Sequence, residues 1–161
     1  MLFRSLLTGG RPVAEVAAQL GWEAPPSAPE ELADRWVEQL DRHGVTSAAL
    51  IASIPGDEDS VARAVARHPE RLHGQFFLNA LAPDAPERIG AAFAAGLRTA
   101  CLFPAMHRYG VADERLEPIW SAAAGGNVMV HCGVLSVGVR KKLGLPSPFD
   151  MRFANPLDLH N

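Results

Sequence analysis

Asn127-Val128-Met129-Val130-His131-Cys132-Gly133 is the stretch on which the reading of this chain turns. An unbroken apolar run meets a histidine and then a glycine, as expected of a buried strand that ends in a functional loop. Three more runs read the same way: Val45 to Ile54, Leu72 to Leu81 and Thr99 to Met106. Continuous rather than alternating hydrophobicity is what a parallel strand covered on both faces requires. The four runs begin at 45, 72, 99 and 127, at spacings of 27, 27 and 28 residues, which predicts a structural repeat.

Helical patterns fill the intervals. Ser27 with Glu30 reads as a capping box, Leu32, Trp36 and Leu40 stripe one face with Ala33 and Val37 beside them, and Gly44 stops the helix. Asp57 stands where it could cap the next helix, which carries Val61, Ala62 and Val65 to a barrier at Pro69. Asp84 with Glu87 repeats the capping logic before Ile89, Ala92 and Phe93, with Gly96 as the stop. A fourth helix carries Leu116, Ile119, Trp120 and Ala123, has Pro118 in its first turn and ends at Gly125-Gly126. Trp22, Trp36 and Trp120 are expected on interior helix faces.

Alternating strands and helices with short connections form either an open doubly wound sheet or a closed barrel. No glycine-rich phosphate fingerprint follows any of the strands, so the barrel is favoured. The expected fold is a partial (β/α)8 barrel of about four βα units in one domain. Residues 1–44 form a helical lead-in, 45–133 the four repeats, and 134–161 a long loop and the start of a helix at Asn155-Pro156. Such barrels typically need about 250 residues and eight strands, so the chain reads as truncated at both ends.

Bulk properties narrow the chemistry. With 161 residues, 48% hydrophobic and 20% charged, the chain can bury a real core. Its net charge of −3 offers no field for nucleic acid or an anionic membrane, so a small-molecule substrate is expected. No stretch approaches a membrane span or a signal-peptide core, and a cytoplasmic location is expected. Cys101 and Cys132 lie in apolar runs without metal-type spacing and read as reduced structural thiols.

In a barrel, chemistry sits where strands end and βα loops begin. Those positions are Ser53, Asn79, Met106 to Tyr109, and His131 to Gly133. His131 is the candidate metal ligand, since a neutral imidazole inside the rim can hold a divalent ion or move protons. The competing reading is a core histidine bonded to backbone. His107 and Arg108, on the preceding loop, are candidates for contacting an anionic substrate, against a plain solvated loop end. Arg140, Lys141 and Lys142 fall in a segment, Gly138 to Leu145, that reads either as a lid or as a solvated turn.

Several pieces together resemble a known family: Leu32-Ala33-Asp34-Arg35-Trp36, Leu40-Asp41-Arg42-His43-Gly44-Val45, His68-Pro69-Glu70-Arg71, Leu102-Phe103-Pro104-Ala105-Met106, and Val128 to Gly133. In order and spacing they are similar to the metal-dependent hydrolases of the second amidohydrolase family, relatives of aminocarboxymuconate-semialdehyde decarboxylase. The resemblance implies a (β/α)8 barrel. It also implies a divalent metal, usually zinc, held by a His-x-His pair on strand one, histidines on strands five and six, and an aspartate on strand eight. The four strands here would be strands two to five, and only His131 matches a ligand position, that of strand five. No His-x-His occurs in the chain. The resemblance therefore implies hydrolysis of a C–N or ester bond by metal-activated water, or non-oxidative decarboxylation, with an incomplete site that would leave this chain inactive alone. A non-catalytic fragment, or a half-barrel completed by a second copy as a homodimer, is the alternative from another class. An open-sheet module binding a small anion through Arg108 or Arg140 to Lys142 is a third.

Overall fold

A computed structural model describes residues 12–54, 56–132, 150–153 and 155–160. The fold is mixed α/β, with four strands in one sheet: β1 (Ala48–Ala52), β2 (Leu72–Leu78), β3 (Thr99–Leu102) and β4 (Asn127–Val130). Their spatial order, β1-β2-β3-β4, is the order of the chain, and β2 with β3 and β3 with β4 pair in parallel. The chain divides into two compact units, one ending at Gly74 and one beginning at Gln75, inside β2.

The first unit holds α1 (Val13–Gln19), α2 (Pro29–Arg42), β1 and α3 (Glu58–Arg67). Its core is Ala33 and Leu40 of α2, Ala64 of α3 and Leu72, with Val37, Ala48, Leu50 and Val65 packed against them. Helix α2 ends as its sequence requires. Gly44 adopts φ +65, its N–H reaches the Asp41 carbonyl, and the Val45 N–H closes on the Leu40 carbonyl at 2.8 Å. That paired closure needs a left-handed residue at its centre, which glycine adopts without steric cost.

Along the outer side, α2 and α3 are laced by ions at a four-residue period. Arg63 grips Glu30 through two contacts at 2.7 and 2.8 Å, and Arg67 holds Asp34 at 3.1 and 3.2 Å. His68 Nε2 donates to Asp34 Oδ1 at 2.6 Å, since an ionised carboxylate can only accept. Beyond α3, Arg71 ties Asp41 at 2.7 Å and the Thr46 carbonyl at 2.7 Å.

Three expectations are corrected in this unit. Trp36 is 51% exposed and Trp22 70% exposed, so neither faces the interior. The buried stripe of α2 is Ala33-Val37-Leu40, because small Ala33 lets α3 approach where a tryptophan would hold it off. Ala28 rather than Ser27 is the N-cap of α2, and no side chain caps the helix that follows Asp57 or, in the second unit, the one that follows Asp84. β1 begins three residues later than the apolar run, because the Val45 amide is spent on the helix closure and the Val45 and Thr46 carbonyls accept from Arg71.

The second unit holds the rest of β2, then α4 (Ala85–Ala94), β3, the one-turn helix α5 (Pro104–His107), α6 (Glu117–Ala122) and β4. β3 is its buried centre, with Ala100, Cys101 and Leu102 fully enclosed. Gln75 to Leu78 pair with Thr99 to Leu102, which pair in turn with Asn127 to Val130. Ile89 of α4 and Ile119 of α6 cover the sheet beside Phe76, Leu78, Leu97 and Leu116. The strand Asn127 to Val130 is not covered on both faces, for Met129 is 40% exposed. The strands also stop early, at Ala52, Leu78, Leu102 and Val130 rather than at Ile54, Leu81, Met106 and His131. The expected fourth helix is a short α-helix, α6, flanked by 3₁₀ turns at Glu114–Leu116 and Ala123–Gly125, and Trp120 on it is half-buried. Asn155-Pro156 does open a helical turn, a 3₁₀ segment over Pro156–His160.

Among the described residues no helix is long and apolar enough to cross a membrane. Gly133, the segment Gly138 to Leu145, and Arg140, Lys141 and Lys142 lie outside the described residues.

Candidate functional site

β3 ends at Leu102 because the chain then meets Phe103-Pro104, and a proline has no N–H to continue the ladder. Pro104 instead starts α5, whose single turn carries His107 as its last residue. Arg108 closes the turn in a left-handed conformation, φ 60 and ψ 54, with its N–H on the Pro104 carbonyl at 2.7 Å. That reversal sends Tyr109 back into the interior, where it is 1% exposed. Next door, the His131 N–H bonds the Leu102 carbonyl at 2.9 Å, so the β3–β4 ladder runs one residue past β4 and fixes His131 at the strand end.

These elements bring five rings together. The His131 imidazole stacks on Phe103, with centroids 4.2 Å apart and planes 11° off parallel. Phe103 meets Phe77 at 5.0 Å, Phe77 meets the edge of His107 at 5.3 Å, and His107 lies nearly parallel to Tyr109 at 6.3 Å. Three polar atoms on this run, His131 Nε2, His107 Nδ1 and Tyr109 Oη, are buried with no hydrogen-bond partner among the described residues. Buried polar groups are nearly always paired, so three orphans in one cluster mark it out.

Burial sets their protonation. Desolvation lowers the pKa of both His107 and His131, which favours neutral imidazoles. It pushes the Tyr109 phenol well above its ordinary value; the Phe103 backbone nearby moderates this without making a hydrogen bond of good geometry. The run is thus aromatic, uncharged and only partly satisfied in its hydrogen bonding.

Of the residues singled out from sequence, His107 and His131 fall on this one run. Arg108 does not: it is exposed, and its charge lies near Asp150. Arg152 holds the Asp150 carboxyl down at about 2, and the Asp150 N–H bonds the Ala105 carbonyl at 2.7 Å, docking residues 150–153 on α5. Ser53 and Asn79 serve local turns, Ser53 Oγ donating to the Ile51 carbonyl and Asn79 Oδ1 accepting from the Leu81 N–H. Both cysteines are free; Cys101 is fully buried, donates to Gln75 Oε1 at 3.4 Å, and has its thiol pushed up to about 11 by burial. Phe77, Phe103 and the inward turn of Tyr109 were not assigned roles from sequence. The Phe103-Pro104 pair, with an aromatic five residues after the proline, is a signal that could have found them.

The first unit has a groove of about 500 Å³ between α2, β1 and α3, lined by Pro26, Leu32, Trp36, Ile51 and Val61. Its polar lining includes Asp57 and Arg63, the latter already bound to Glu30. Size favours this groove, but the unsatisfied chemistry belongs to the ring run of the second unit, and chemistry is the better guide to function here.

His131 fits a metal-ligand role, for its Nε2 is committed to nothing among the described residues. A catalytic zinc needs about three protein ligands, and among the described residues no group of three or more histidines, cysteines or carboxylates comes together. Comparisons with family models, with curated proteins and with solved structures found no match.

Proposed function

We propose that this chain supplies βα units two to five of a (β/α)8 barrel in a metal-dependent hydrolase of the amidohydrolase type. It would act on a C–N or ester bond of a small-molecule substrate. The observation that carries the reading is the buried Nε2 of His131, uncommitted among the described residues, at the C-terminal end of a parallel strand, where barrel enzymes place their ligands. His131 would be the ligand this chain contributes to a divalent ion, zinc by family resemblance. Such an ion, when bound, supplies a water acidic enough to attack near neutral pH. The chain's own part is to hold the imbedded imidazole neutral by burial and fixed by its stack on Phe103, the state in which histidine binds metal.

The test is NMR of the histidine ring protons of the full chain during titration with zinc. The His131 resonances should shift or broaden before those of the other histidines, and His131→Gln should remove that first response. Zinc perturbing other histidines while His131 stays unmoved would overturn the assignment.

A further inference from the structure

The hydrolase reading uses His131 and leaves two of the three orphaned atoms without a purpose. We propose that His107 and Tyr109 form a second, uncharged pole of the ring run. It receives the carbonyl or amide group of a neutral planar ligand seated on Phe77 and Phe103.

Geometry carries the argument. His107 and Tyr109 are parallel neighbours, each with one buried polar atom lacking a partner among the described residues. A phenol O–H donates, and a neutral imidazole donates or accepts according to its tautomer, so the pair suits a carbonyl or a carboxamide. Among the described residues, the Phe77 and Phe103 rings link this pole to His131, and they favour a flat, apolar framework. The five rings include no cationic side chain, and bringing a carboxylate there without a counter-charge is costly. Two cations lie close to the run: Arg88 is already engaged, its Nη2 donating to the Phe77 carbonyl at 3.3 Å, and Arg108 is exposed, with its charge near Asp150. His107 is half-buried at the end of a single helical turn. A change of its side-chain rotamer therefore presents Nδ1 outward without breaking a backbone bond.

The inference rests on the hydrolase reading for the class of substrate, an uncharged amide or ester rather than a carboxylate. The binding itself needs no metal, and that separates the two. The full chain, freed of metal with a chelator, is titrated with benzamide and with benzoate while the histidine ring protons are followed by NMR. Benzamide is expected to shift the His107 resonances and to bind at least about tenfold more tightly than benzoate. Tyr109→Phe and His107→Gln should each weaken benzamide about five- to tenfold, the loss of one hydrogen bond, with circular dichroism confirming the fold. If one variant fails to fold, the other decides by the same ratio. Benzoate binding as tightly as benzamide, benzamide leaving His107 unmoved, or variants that bind like the parent would each overturn the proposal. A zinc response at His131 without a benzamide response overturns this inference alone; the reverse overturns the metal assignment alone.

Discussion

A polar atom held away from water without a partner costs about 1–3 kcal/mol, and among the described residues His131 Nε2, His107 Nδ1 and Tyr109 Oη all stand in that condition. Tyr109 offers the cleanest measurement, because phenylalanine keeps its shape and removes only the hydroxyl. Tyr109→Phe should raise stability by roughly 1 kcal/mol in denaturant unfolding while weakening the ligand pole. A fall in stability would mean that Oη has a partner in solution. At this scale, sequence reasoning reached His131 and His107 because a histidine at the end of an apolar run is a visible anomaly. Tyr109 was harder to see. Its burial depends on the left-handed Arg108, and an arginine does not announce a positive φ as a glycine would.

Among the elements, the loop between α6 and β4 shows how closely the second unit is packed. A side-chain carbon placed on Gly126 would lie 2.5 Å from the Phe93 ring and 2.9 Å from the Arg98 carbonyl oxygen. The ring could yield, but the backbone oxygen cannot. Gly126→Ala is therefore expected to cost about 1–3 kcal/mol, read as a lowered denaturation midpoint with an unchanged slope. Strand starts were legible in the last three runs: Leu72, Thr99 and Asn127 begin β2, β3 and β4 as their apolar runs do, although the Leu72 N–H is bonded to the His68 carbonyl. β1 departs because its first amide and carbonyls are claimed by the end of α2 and by Arg71. Helix faces were less legible. Leu32-Trp36-Leu40 and Ala33-Val37-Leu40 are overlapping stripes, spaced 4-4 and 4-3, that both suit a helix, and only the close approach of α3 decides for the second.

For the molecule as a whole, stability should depend on pH in two separate windows. Glu30, Asp34, Asp113 and Asp150 all have carboxyls held below their ordinary values, chiefly by Arg63, Arg67, Arg115 and Arg152. Their contribution is present above the unfolded carboxylate pKa and is lost as pH falls from there towards about 2. His107 and His131 are also depressed, so the unfolded chain binds protons that the folded one refuses as pH drops through the ordinary histidine value of 6.5. Stability should thus already decline between neutrality and mild acid, before the carboxylates titrate. Thermal unfolding against pH, with His107→Gln combined with His131→Gln, checks this: the double variant should lose the upper step and keep the lower. An unchanged upper step would place its origin elsewhere. The repeat of βα units was readable in the spacing of the apolar runs, whereas the division within β2 was not, since no linker composition marks Gly74 and Gln75.

The sheet's order has a further consequence for how the chain is made. Because β1, β2, β3 and β4 lie in the sheet as they lie in the chain, no strand must wait for a distant partner. As the polypeptide leaves the ribosome, each strand emerges to find its neighbour already synthesised, with one helix between them, or two between β3 and β4. β3, the most buried strand, needs β4 to cover its second edge. The interval between their emergence is when the nascent chain is most exposed to aggregation.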